Sequence, residues 1–158
     1  MDSLFTPRGE CAPLAIGIRV IVFDTDALSQ ILRGTAEFVK RVAAIPADEQ
    51  AITAVTAEEL LRGRLDIIRE AQGRRDGKAI VSAYHWFVET IESLSRVHIL
   101  RDSVAAETQF SDWQSAKLKG GANDLRIASI VKAANATLVT CNRRHFDQLP
   151  GLRVESWS

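Results

Sequence analysis

Val20-Ile21-Val22-Phe23-Asp24-Thr25-Asp26 is the stretch on which the fold turns. Four consecutive apolar residues offer no polar face, so they suit a strand covered on both sides, as in a parallel sheet. Three polar residues end the run at once, and residues 27–32 then read as a helix.

Outward from this stretch the alternation continues. A second helix is expected over residues 36–44, closed by Pro46, and a second strand over 51–55. Thr56 opens a helix with Leu60, Leu61, Leu65 and Ile68 as its apolar stripe. Another spans 78–94, with Ile80, Tyr84, Phe87, Val88 and Ile91 facing the core. Residues 97–100 form a third strand, 104–118 a helix that stops at Gly120-Gly121, and 123–134 a helix with Ile127, Val131 and Ala134 at helical spacing from Asp124. Residues 137–140 and 152–155 complete the strands. Strands alternating with helices predict an α/β domain: a mostly parallel central sheet with helices on both faces. That single domain is assigned to residues 19–158. Before it, Pro7, Gly9, Pro13 and Gly17 break any regular element, and residues 1–18 read as a loosely ordered extension.

A chain of 158 residues, 46% hydrophobic, can bury a core without staples. Twenty basic and twenty acidic side chains cancel, which excludes polyanion binding by overall charge and leaves only local clusters. Cys11 and Cys141 lie far apart with no CxxC spacing, against both a disulfide framework and a structural zinc site. The opening residues lack a cationic head followed by an apolar run, so neither a signal peptide nor a membrane span is expected, and the cytoplasm is the expected compartment.

Open α/β sheets carry their sites beyond the carboxyl ends of the strands. Asp24 ends the first strand, Glu59 follows the second, Asp124 opens the helix before the fourth, and Asn142 lies just beyond it. Hard divalent cations prefer oxygen ligands, so gathered acids of this kind suit Mg²⁺ or Mn²⁺ and phosphodiester hydrolysis by a metal-activated water. Each residue also has a plainer role. Asp24 and Asp26 suit helix capping, Thr56-Ala57-Glu58-Glu59 fits a capping box, and Asp124 complements a helix dipole. Three such roles coinciding at one sheet edge lower the odds of chance. The three histidines show no ligand spacing.

Taken together, Val22-Phe23-Asp24-Thr25-Asp26-Ala27-Leu28, Thr56-Ala57-Glu58-Glu59-Leu60-Leu61-Arg62-Gly63, Asn123-Asp124-Leu125-Arg126-Ile127-Ala128 and Thr137-Leu138-Val139-Thr140-Cys141-Asn142-Arg143-Arg144-His145-Phe146 resemble the PIN-domain ribonucleases. The tail from Leu149 to Trp157 is similar to that of their VapC toxin branch. The resemblance covers nearly the whole chain after Val20. It implies a PIN-like fold, a metal site at Asp24, Glu59 and Asp124, endonucleolytic cleavage of RNA, a cognate VapB-like antitoxin and a homodimer. Asn142 falls where many members of the family carry aspartate, and an amide brings no charge for a second ion.

Arg62, Arg64, Arg69, Arg74, Arg75 and Lys78 cluster on and after the helix bearing Glu59, and Arg143 and Arg144 follow Asn142. They could track phosphates, although a solvated helix face is the commoner meaning of such a run. Two rival functions stand beside the ribonuclease. One is a catalytically silent PIN-fold binding module that has lost metal through Asn142. The other is a haloacid-dehalogenase-type phosphatase built on Asp24-Thr25-Asp26, which needs a lysine that the chain after Thr140 does not supply.

Overall fold

The computed structural model describes residues 19–118 and 120–157. The expected extension over residues 1–18 lies outside them. Five strands, β1 (Ile21–Phe23), β2 (Gln50–Thr53), β3 (His98–Leu100), β4 (Thr137–Thr140) and β5 (Arg153–Ser156), form one sheet in the order β3-β2-β1-β4-β5. Every pairing is parallel. The strand that the sequence marks as apolar throughout lies at the centre, with Val22 opposite Ala51 on one side and Leu138 on the other.

Among the described residues six helices accompany the sheet: α1 (Thr25–Leu32), α2 (Ala36–Ala43), α3 (Ala54–Gly73), α4 (Gly77–Leu94), α5 (Val104–Ser115) and α6 (Ala122–Ala133). Because strand side chains alternate, β1 feeds two cores. Val22 joins Ala51 and Leu138 beneath α5 and α6, where Phe110, Trp113, Ile127 and Val131 pack. Ile21 and Phe23 point the other way, to Leu28, Ile31, Phe38 and Val42 of α1 and α2 and to Trp157. Trp157 lies edge-on to Phe23 and Phe38, with ring centroids 5.7 and 5.8 Å away. Helices on both faces of a parallel sheet are what the alternation predicted.

Several boundaries differ, each for a local reason. α1 begins at Thr25 rather than residue 27, because the Asp24 side chain accepts from the Ala27 N–H at 2.8 Å and caps the helix. β2 ends at Thr53, not residue 55, because the Thr53 hydroxyl accepts from the Thr56 N–H at 3.0 Å. Thr56 is therefore inside α3, and the capping box ending in Glu59 does not form. Ala134, placed inside the last helix by the sequence, is the C-cap of α6 and is exposed.

The largest difference concerns α4. It pairs with α3 as a helical hairpin whose small private core is Ile68, Ala71 and Ala83, with Ile80 and Phe87 partly buried beside it. Tyr84, Val88 and Ile91, expected in the core, are 47%, 50% and 45% exposed, and Val81 and Leu65 are exposed as well. Two faces of α4 are apolar at helical spacing, and the one with Ala83 and Thr90 turns inward, where small side chains permit close approach to α3.

Candidate active site

At the carboxyl edge of the sheet, Asp24, Thr25, Asp26, Glu59, Asp124, Ile127, Asn142 and His145 line one cleft of about 230 Å³. All four residues singled out from the sequence thus meet, although they come from the end of β1, the second turn of α3, the first turn of α6 and the loop after β4. The parallel arrangement causes this, since it puts the carboxyl ends of β1, β2 and β4 on one side. Gly120 has φ of +149°, a conformation that only glycine adopts readily, before α6 starts and presents Asp124.

Asp24 is the most enclosed of the four, 6% exposed. Burial raises its carboxyl from 3.8 to about 6, with hydrogen bonds from Thr140 and the Ala27 amide pulling it back and the charges of Asp26 and Asp124 adding to the rise. Capping and site roles therefore coincide in one side chain: one oxygen serves α1 while the group stays within electrostatic reach of Asp124. Glu59 is fixed differently. Its Oε1 accepts from Asn123 Nδ2 at 2.7 Å, and its Oε2 accepts a short hydrogen bond from the Thr25 hydroxyl.

His145, which the sequence pattern did not single out, completes the far wall. Its Nδ1 lies 3.1 Å from Asp124 Oδ2, and its Nε2 lies 2.8 Å from Asn142 Nδ2. An amide N–H can only donate, so Nε2 accepts and Nδ1 carries the proton given to Asp124. Asn142 is itself held by its N–H, which donates to Thr140 Oγ1 at 2.9 Å. The Asn142-x-x-His145 spacing on a 3₁₀ turn (Arg143–His145) is the signal that could have found His145.

The donor set is oxygen-rich and negatively charged, which suits a hard cation rather than a thiophilic one. Among the described residues no three His, Cys, Asp or Glu side chains close into a ready cage. Mg²⁺ does not require one, because it is commonly held by one or two carboxylates and keeps water and substrate oxygens for the rest. Asp24 and Asp124 are carboxylates that could form such a pair, and a cation between them would relieve the repulsion that helps raise Asp24. Among the described residues no lysine lines the cleft.

Fold and cleft together define an α/β domain with an acidic cleft at the carboxyl edge of a parallel sheet. The chain belongs to the PIN-domain family, whose sequence model matches residues 21–152. No curated protein sequence matches the chain. Among solved structures it is similar to the DNA-bound VapBC of Salmonella typhimurium, with TM-score 0.67 and 20% identity over 89% of this chain and 100% of that one. It is also similar to VapBC2 of Rickettsia felis bound to a promoter DNA fragment, with TM-score 0.64 and 24% identity over 88% and 99%. A toxin–antitoxin complex from Klebsiella pneumoniae gives 0.60 and 25% over 84% and 94%. Among the described residues no helix is long and apolar enough to cross a membrane.

Proposed function

We propose that the chain is a divalent-metal-dependent endoribonuclease serving as the toxin of a toxin–antitoxin pair. The observation that carries this reading is the meeting of Asp24, Glu59, Asp124 and Asn142 in one cleft, with Asp24 lifted to about 6. Asp24 and Asp124 would hold Mg²⁺ or Mn²⁺, with Glu59 and Asn142 beside it. A cation bound there supplies positive charge to the scissile phosphate and lowers the pKa of an attacking water. Thr25 and Asn123 fix the direction of Glu59 while leaving lone pairs on both its oxygens, so it can accept a proton from that water. His145 holds Asp124 in one orientation.

The solved relatives are described as toxin–antitoxin or VapBC complexes, which supports a VapB-like antitoxin as the partner of this chain. The same family relation supports a homodimer and a cytoplasmic location. A silent binding module is the second reading, favoured by the uncharged Asn142. Purified protein, freed of any partner, is incubated with mixed single-stranded RNA in Mn²⁺, in Mg²⁺ and in EDTA. RNA breakdown with metal and none in EDTA is the expected result; no breakdown in any of the three leaves the silent module.

A further inference from the structure

Beside the acidic cleft lies a larger groove of about 540 Å³, lined by Arg33, Glu59, Arg64 and Trp86 and by the apolar side chains of Leu32, Leu60 and Ile67. Thr25 and Glu59 line both, so the groove opens directly onto the acids. Its two arginines differ from most of the basic cluster. Arg62, Arg69 and Arg74 are each tied to an acid on their own helix, Glu58, Asp66 and Glu70, and Arg143 to Asp147. Such pairs leave little charge for a polyanion.

Arg64 has no such partner among the described residues. It donates from Nε to the Thr90 hydroxyl at 2.9 Å and lies 5.9 Å from the centroid of the Trp86 ring. Arg33, at the end of α1, also has no carboxylate partner among the described residues, and its charge reaches Arg64. Burial and then this repulsion push the Arg64 guanidinium below its ordinary value. Among the groove's described lining residues these two cations meet one carboxylate, that of Glu59, and a phosphate neutralises the charge left over. Trp86 is 44% exposed and offers an aromatic surface beside them.

We propose that this groove seats nucleotides flanking the scissile phosphate of a single-stranded RNA, Arg33 and Arg64 receiving a phosphate and Trp86 stacking on a base. The assignment rests on the ribonuclease reading and adds the path of the substrate. Charge complementarity favours this occupant over an apolar peptide, because a guanidinium pair and an aromatic ring at the lip of a nuclease cleft are the two elements that single strands require.

A fluorescein-labelled 12-nucleotide RNA of mixed sequence is titrated by anisotropy in EDTA, which separates binding from cleavage. Replacing Trp86 by Leu is expected to weaken binding on the order of tenfold, and to leave binding of an abasic oligomer of the same length unchanged. The Arg33→Gln/Arg64→Gln double variant is expected to weaken both ligands and to reduce the slope of log Kd against log salt by about 0.7 for each phosphate that is no longer neutralised. Circular dichroism and thermal unfolding identify any variant that fails to fold, and Arg33→Gln alone, at an exposed position, then replaces it. Native affinity and salt slope in folded variants overturn the groove, even where the native protein cleaves RNA with Mn²⁺. Variants that lose only a co-expressed protein partner also overturn it and give the groove to a peptide. A native protein that neither binds nor cleaves RNA overturns both readings.

Discussion

Replacing Asp24 by Asn isolates the cost of holding a charge in the cleft. The native carboxyl is raised to about 6, by burial first, so the protonated side chain favours the folded state. That stability is fully present below the unfolded value of 3.8 and is lost as pH rises through 6. At about 1.4 kcal/mol per pKa unit, the ionised group costs the folded protein about 3 kcal/mol near neutral pH. Asn keeps the side chain's shape, and its amide oxygen can take the Ala27 N–H that the carboxylate accepts at 2.8 Å. In EDTA near pH 7.5, the Asp24→Asn protein should therefore unfold roughly 6–12 °C higher than the native one. Near pH 4 the two should nearly coincide. Saturating Mn²⁺ should raise the native protein and leave the variant close to its EDTA value, since a ligand stabilises only the state it binds. Thermal unfolding by circular dichroism across this pH range, with EDTA and with Mn²⁺, provides the check. A variant less stable than the native protein in EDTA near pH 7.5, or a gap that does not change with pH, would refute the reasoning.

Asp124→Asn should abolish metal-dependent RNA cleavage and most of the stabilisation by Mn²⁺ while changing stability in EDTA little; equal Mn²⁺ stabilisation of both proteins removes Asp124 from the site. Asn142→Asp adds a negative charge next to His145 and Asp124, so calorimetric titration should show several-fold tighter Mn²⁺ binding; unchanged affinity places residue 142 outside the metal's reach. On α4, Val88→Glu should alter stability by less than about 0.5 kcal/mol because the side chain is half exposed, whereas Ala83→Glu buries a charge between α3 and α4 and should cost several times more. Urea unfolding compares the two, and equal costs would contradict the observed facing of α4.

The fold was legible because β1 carries an unbroken apolar run and the later segments alternate between the two periodicities. Burial on both faces is written into Ile21, Val22 and Phe23 themselves. The facing of α4 was not legible, since helical spacing shows that a face is apolar without showing what covers it. Tyr84, Val88 and Ile91 satisfy the same periodicity as the buried side, and only the approach of α3 decides between them.

The same division holds at the site. Sequence by itself determined the four candidates, because residues after parallel strands must arrive at one edge whatever their separation along the chain. Only the tertiary structure decided how each is held. It made Asp24 a helix cap that also lines the cleft, gave Glu59 to Thr25 and Asn123 instead of a capping box, and brought His145 against Asp124. It also divided the arginines into those neutralised by their own helix and the pair, Arg33 and Arg64, left facing the groove. The reason is physical: caps and i,i+4 pairs are set by a few neighbouring residues, whereas desolvation, repulsion and unpaired charge depend on distant segments meeting in space.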